Sequence, residues 1–313
     1  MGTAGTTLLI VNPKSGGGKT ERAWPELSKV IDAKLGEHDI VFTERAGHGI
    51  ELAREGAKKG HSLIVAVGGD GTFSEVVSGV VASGADAQVG IIGQGTGGDF
   101  RRTLGIEHRL DAYLSALTSD KTRALDVGKV TFDDGGKEST RYFVNIVSAG
   151  MGGLVDKYVA TASRALGGGA AYFGASVKAL LRAELGHVRA EVTLEGKTET
   201  HRIRTFMLAI CNGQYFGSGM HVAPMAQPGD GVFELVSLGP TNKVAFALTS
   251  SAIYKGEHLK QPGAVHLRGD KITLTLDNER SAKPHFLIDL DGEAVGGLPM
   301  TVEMLKGAVT VRA

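Results

Sequence analysis

The chain has 313 residues, 42% hydrophobic and 22% charged, with 46 glycines. That length exceeds what one compact domain usually uses, so two domains are expected, and the composition excludes a disordered chain. Lys plus Arg number 34 and Asp plus Glu 34, so no global field points to nucleic acid; the single cysteine, Cys211, excludes an internal disulfide framework and a Cys-rich metal site.

Leu8 to Val11 is too short for the apolar core of a signal peptide and follows no basic stretch. No apolar run approaches the ~18 residues a spanning helix needs. A cytoplasmic protein is expected, with any membrane contact peripheral.

Through about Gly128 strand and helix patterns alternate. Strands are expected at Thr7 to Asn12, Asp39 to Thr43, Leu63 to Val67 and Val89 to Ile92, and helices at Thr20 to Leu35, Gly49 to Lys59, Thr72 to Ala82 and Leu110 to Leu117. This is the punctuation of a doubly wound parallel sheet, whose ligands bind beyond the carboxyl ends of the strands. Glycine turns at 16 to 18, 68 to 71 and 93 to 98 each follow such a strand. Gly16-Gly17-Gly18-Lys19-Thr20 is no Walker A loop, because position 13 is Pro13. Gly93-Gln94-Gly95-Thr96-Gly97-Gly98 fits the dinucleotide pattern but follows a late strand, where that fingerprint does not belong.

The apolar run Leu63 to Val67 enters Gly68-Gly69-Asp70-Gly71-Thr72, a turn whose backbone can approach a phosphate without a Cβ in the way. Thr72 and Glu75 have capping-box spacing, which places the helix start at Thr72. Asp133-Asp134-Gly135-Gly136 reads as a hairpin turn near a domain boundary. After Lys129, Val188 to Leu194 and Ile272 to Leu276 alternate apolar and polar residues, the period of antiparallel strands. A helical stretch from Leu154 to Glu184, broken at Gly167-Gly168-Gly169, reads as two helices and a loop. Asp291-Gly292 after Phe286 to Leu290 is a hairpin signal, and Pro228-Gly229-Asp230-Gly231 a turn.

In order, Asn12-Pro13-Lys14-Ser15-Gly16-Gly17-Gly18, the Gly68 to Thr72 turn and Gly95-Thr96-Gly97-Gly98-Asp99-Phe100 resemble the diacylglycerol kinase catalytic-domain family. That family includes sphingosine and ceramide kinases and bacterial soluble lipid kinases. Asp126, Asp291-Gly292-Glu293 and Gln227-Pro228-Gly229-Asp230-Gly231-Val232 extend the resemblance over nearly the whole chain. The family usually has asparagine where this chain has Gly98.

The resemblance implies an α/β nucleotide-binding domain, residues 1–129 rejoined by 294–313, and a β-sandwich-like lipid-substrate domain, residues 130–293, with ATP in the cleft between them. Asn12, Pro13, Lys14, Ser15, Gly16, Thr43, Gly69, Asp70, Gly71, Thr72, Glu75 and Thr96 would line the nucleotide. Asp70, Asp99 and Asp126 would form an acidic cluster around the catalytic Mg2+. Glu293 would accept the proton of the attacking hydroxyl with Asp291 assisting, and the Asp230 carboxylate with the Gln227 and Val232 carbonyls would hold a structural Mg2+. Arg164, Lys178 and Arg182, with Tyr172, Phe173, Leu180 and Leu181, would face a membrane. The expected activity is phosphoryl transfer from ATP to a lipid alcohol, with diacylglycerol the default at the inner membrane face. Ceramide, sphingoid bases and phosphatidylglycerol stay open as acceptors, as do an NAD kinase-like activity, a nucleotide-binding regulator without turnover, and a homodimer.

Overall fold

The computed structural model describes residues 6–95, 97–161, 175, 176, 178–238, 242–278, 282 and 286–313. They fall into two compact units: Met1–Val127 with Pro228–Asp230 and Leu305–Ala313, and Gly128–Gln227 with Gly231–Met304.

In the first unit, β1 (Thr7–Val11), β2 (His38–Phe42), β3 (Leu63–Gly68) and β4 (Gln88–Gly93) pair in parallel in the order β2-β1-β3-β4. The intervening helices are α1 (Ser15–Leu35), α2 (His48–Lys58) and α3 (Asp70–Ser83), followed by α4 (Asp99–Leu104) and α5 (Leu110–Thr118). All six residues of β3 are buried, as its uninterrupted apolar run requires of a central parallel strand. Strand order reverses between β1 and β3, which opens a crevice at their carboxyl ends. In α1, Gly16, Gly17 and Gly18 all have positive φ, so this first stretch is a glycine turn and regular helix follows it.

Strand β5 (Thr122–Asp134) leads into the second unit and pairs with β6 (Lys137–Phe143) through a two-residue turn. Gly135 and Gly136, at φ 65° and 91°, supply the two positive φ values such a turn demands. Next come β7 (Ile146–Gly150), α6 (Met151–Thr161), β8 (Gly186–Leu194), β9 (Lys197–Thr205), β10 (Met207–Cys211), β11 (Tyr215–Phe216), β12 (Met220–His221) and β13 (Phe233–Ser237). The chain ends with α7 (Lys243–Tyr254), β14 (His266–Gly269), β15 (Lys271–Leu276), β16 (Leu287–Leu290) and β17 (Glu293–Arg312).

One antiparallel path runs β14-β13-β10-β7-β16-β17, and β15 carries pairing from β17 to β8 and β9. The expected alternation is met in β8, where Val188, Ala190 and Val192 are buried between exposed neighbours. Central strand β10 is buried on both faces. Leu208 and Ile210 enter a core shared with β8, β15 and β16, while Met207, Ala209 and Cys211 enter one shared with α6 and α7.

Three expectations change. The returning segment is shorter than 294–313: Glu293–Gly297 and Met300–Glu303 belong to ladders with β16 and β15, and only Thr310 and Val311 pair with β4. Helix α3 starts at Asp70, two residues before the expected Thr72. The helix expected from Leu154 begins at Met151; the Gly167-Gly168-Gly169 break lies outside the described residues.

Candidate active site

The three glycine loops lie at the carboxyl ends of β1, β3 and β4 and touch through their backbones. Asn12 joins the first two: its Nδ2 donates to Thr72 Oγ1 at 3.0 Å while its Oδ1 accepts from the Lys14 amide at 3.1 Å. A Cβ at Gly16 would stand 2.8 Å from the Gln94 carbonyl oxygen, and one at Gly95 would stand 2.7 Å from Gly69 Cα. The Gln94 amide donates to the Gly68 carbonyl at 2.7 Å. Helix α3 begins behind this junction at N-cap Gly69 with no side-chain cap, so the positive end of its dipole faces the loops.

The carboxylates have specific attachments. Asp70 accepts from the amides of Asp99 and Phe100 at 3.1 and 3.2 Å, which makes it the cap of α4. Gly97 separates Asp70 from Asp99, since a Cβ there would be 3.1 Å from Asp70 Oδ2 and 3.8 Å from Asp99 Oδ2. Arg102 Nη1 binds Asp99 Oδ1 at 2.5 Å and the Gly97 carbonyl at 2.8 Å, clamping the turn. Asp126, 2% exposed, accepts from the Gly307 amide at 2.7 Å and so ties in the returning segment. Asp70 and Asp99 thus meet about Gly97, and Asp126 holds the Gly307 amide. Among the described residues no three His, Cys, Asp or Glu side chains are placed to hold a metal. Two carboxylates still suit Mg2+, which is commonly held by one or two of them together with phosphate oxygens.

Glu75 corrects the capping-box expectation. Its carboxylate accepts from the amides of Gly47 and Gly49 at 2.8 Å each, so it caps α2 rather than its own helix. The reason lies in the earlier start of α3, which carries Glu75 beyond the capping position. Ser15 and Thr43 are buried, Pro13 accepts from the Glu21 amide, and Lys14 Nζ reaches the Glu44 carbonyl at 3.3 Å. A Cβ at Gly71 would meet nothing within 4 Å. Thr96 lies outside the described residues.

Gly98 has φ 63°, a left-handed conformation that asparagine tolerates better than other side chains. An added Cβ would lie 2.9 Å from Arg101 Nε, on a side chain whose Nη1 donates to the Ile106 carbonyl at 2.7 Å, so that side chain must shift to admit it. Gly98→Asn is expected to lose less stability and activity than Gly98→Val, which costs roughly 1–2 kcal/mol from the backbone alone. Thermal melts beside turnover measurements check both.

His108 and Tyr113 join the site without a sequence signal. Their Nδ1 and OH lie 2.7 Å apart, and a Cβ at Gly93, the last residue of β4, would be 2.3 Å from that OH. Burial pushes the Tyr113 phenol up to about 12, with Arg101 opposing and Asp70 reinforcing. Burial, then the charges of Arg101 and Arg102, lower His108. This hydrogen-bonded imidazole and phenol therefore buttress the third loop from behind.

In the second unit, Asp291 and Gly292, at φ 48° and 91°, form the two-residue turn between β16 and β17. The Asp291 carboxylate accepts three backbone amides, from Val144, Asn145 and Ile146 at 3.0–3.2 Å. Such a carboxylate is an anchor, with little capacity left for proton traffic. Glu293, next along, is exposed and pairs with Arg141 at 3.3 Å.

Asp230 is exposed, beside Gly231 at φ 79°, and a Cβ at Gly229 would be 3.0 Å from the Ala124 carbonyl oxygen. A carboxylate with the carbonyls of Gln227 and Val232 is an all-oxygen donor set of the kind a hard cation takes.

Residues 6–130 match the family model described as the diacylglycerol kinase catalytic domain, and residues 145–313 match that of the YegS C-terminal NAD kinase beta sandwich-like domain. Over 237 residues the chain is 31% identical to the "Probable lipid kinase YegS-like" protein of Chromohalobacter salexigens, covering 74% of this chain and 70% of that protein. The chain belongs to the diacylglycerol kinase family.

Within the family, this kinase is 27% identical over 293 residues to a diacylglycerol kinase of Bacillus subtilis, covering 93% of this chain and 90% of that protein. It shares its fold with the crystal structure of a diacylglycerol kinase from Bacillus anthracis, at TM-score 0.70 and 23% identity, over 98% of this chain and 96% of that one. The expected fold class stands: an α/β unit with a parallel sheet and a β-sandwich-like C-terminal domain.

Proposed function

We propose that this enzyme transfers the γ-phosphoryl group of ATP to a lipid hydroxyl, with diacylglycerol as the acceptor and phosphatidic acid as the product. The observation that carries this reading is the mutual contact of the three glycine loops with Asp70 and Asp99 about Gly97. Amides of the loops and the start of α3 bind and orient the phosphates, with Lys14 adding charge. Asp70 and Asp99 would hold Mg2+ against them. When bound, that ion neutralises charge developing on the transferred group. Glu293 takes the proton of the attacking hydroxyl, and Asp291 holds the turn that presents it. The choice of acceptor draws support from relatives named diacylglycerol kinase.

Among the described residues no helix is long and apolar enough to cross a membrane. A peripheral approach to an inner membrane face fits Leu181 and Val244, which are 72% and 68% exposed. Lys243, next to Val244, donates to the Leu181 carbonyl at 2.9 Å. Leu180 is partly buried against the core, and Arg164, Tyr172 and Phe173 lie outside the described residues.

Incubation with labelled ATP, Mg2+ and mixed micelles of diacylglycerol, ceramide, a sphingoid base or phosphatidylglycerol, beside soluble NAD, tests the proposal. Label entering diacylglycerol is expected; label entering only NAD, or no acceptor at all, refutes it. Asp230→Ala is expected to lower activity and reduce the Mg2+-dependent rise in melting temperature measured without ATP, because an ion that binds only the folded state stabilises it. An unchanged Mg2+-dependent melt would leave that loop a simple turn.

A further inference from the structure

A buried carboxylate stands in the middle of the second unit's sheet, two residues before the Asp291-Gly292 turn. Asp289 is 4% exposed and lies between the buried Ile288 and Leu290. It is flanked in register by Ser148 of β7 and Ala294 of β17. An anion in a central strand costs folding free energy that an apolar side chain of similar volume would avoid. The turn does not require it, because two residues of positive φ already suffice to reverse the chain.

What Asp289 adds is orientation. Its Oδ1 accepts from the Gly292 amide at 2.8 Å, and Gly292 immediately precedes Glu293. Its Oδ2 accepts from the Ser148 hydroxyl at 3.1 Å, and Ser148 is fully buried. The pair is covered by the first turn of α6. A Cβ at Gly152 would lie 2.4 Å from Ser148 Oγ and 3.6 Å from Asp289 Oδ2, so only glycine lets the helix start sit this close. Two carboxylates thus fix the turn from opposite sides, Asp291 by the amides entering β7 and Asp289 by the amide beside Glu293.

We propose that Asp289, held by Ser148, is a positioning residue that sets the direction of the Glu293 carboxylate for proton removal from the acceptor hydroxyl. This rests on Glu293 being the base. Asp289 acts through the backbone at Gly292 and touches no substrate.

The test is a mutant cycle in the lipid kinase assay, with the Michaelis constant for ATP and the melting temperature measured in parallel. Asp289→Ala is expected to lower kcat by about 10²-fold, the scale of a reacting group misplaced by about 1 Å, with the ATP constant unchanged. Asp289→Asn, whose amide oxygen still accepts from Gly292, should recover most of that loss. In a Glu293→Gln background Asp289→Ala should cost nothing further, because the group it positions is gone. Should Asp289→Ala fail to fold, Ser148→Ala decides, with a fall in kcat that vanishes in the Glu293→Gln background. Losses that multiply in the double variant, or a folded Asp289→Ala enzyme with kcat near wild type, would overturn the proposal and leave Glu293 in place. If Glu293→Gln alone leaves turnover intact, or wild type phosphorylates no acceptor, both assignments fall together.

Discussion

Glu293→Gln is expected to lower turnover by about 10²- to 10⁴-fold, the range for loss of a general base, while ATP affinity stays near wild type. The amide keeps the shape of the side chain and removes only its basicity. Glu293 is exposed on β17 beyond the turn, so a packing defect should be slight. Its ion pair with Arg141 joins two half-exposed groups, and such pairs contribute at most about 1 kcal/mol, so losing it cannot mimic the loss of catalysis. The decisive comparison is nucleotide binding by calorimetry against turnover on a lipid. A variant that loses both equally, or neither, would remove Glu293 from the chemistry.

Asp70→Ala should abolish measurable turnover by a different route. Sequence alone suggests a carboxylate in an open phosphate loop, whose removal leaves the fold untouched. The structure gives it a second duty, because the amides of Asp99 and Phe100 both rest on it. Losing that cap costs about 0.5–2 kcal/mol, which for a domain of this size lowers the melting temperature by a few degrees. It also leaves Arg102 alone to hold Asp99 beside Gly97, so on the proposed reading the metal loses one carboxylate and the placement of the other is weakened. A mild drop in melting temperature with turnover below detection is the expected pair of results. A melt unchanged from wild type would show that the cap contributes little, and retained turnover would remove Asp70 from phosphate handling.

The legible and hidden parts of this molecule divide along physical lines. The glycine loops were legible because a backbone that must approach another backbone tolerates no Cβ, and glycine is the only residue that states this openly. Alternation in β8 and β15 was legible because a strand covered on one face prints its period directly. Glu75 misled because capping-box spacing records a local option, and the carboxylate found its amides on the neighbouring helix instead. Asp291 was visible as a turn residue but not as an anchor, since its amide partners lie about 146 positions away along the chain. The His108 and Tyr113 pair left no signal at all: its task is defined by the space behind Gly93, which no local pattern encodes.

The abutment of Gly69 on Gly95 has a consequence for how this protein can drift. Most tight contacts can be relieved by shrinking the opposite side chain, so a clash introduced at one position is repaired at another. Here both sides are already as small as chemistry permits, with a Cβ on Gly95 falling 2.7 Å from the Gly69 backbone. No second-site revertant is available at this junction. The two loops therefore descend through mutation as one inherited unit, and any displacement of one by a bound phosphate must be accommodated by the other.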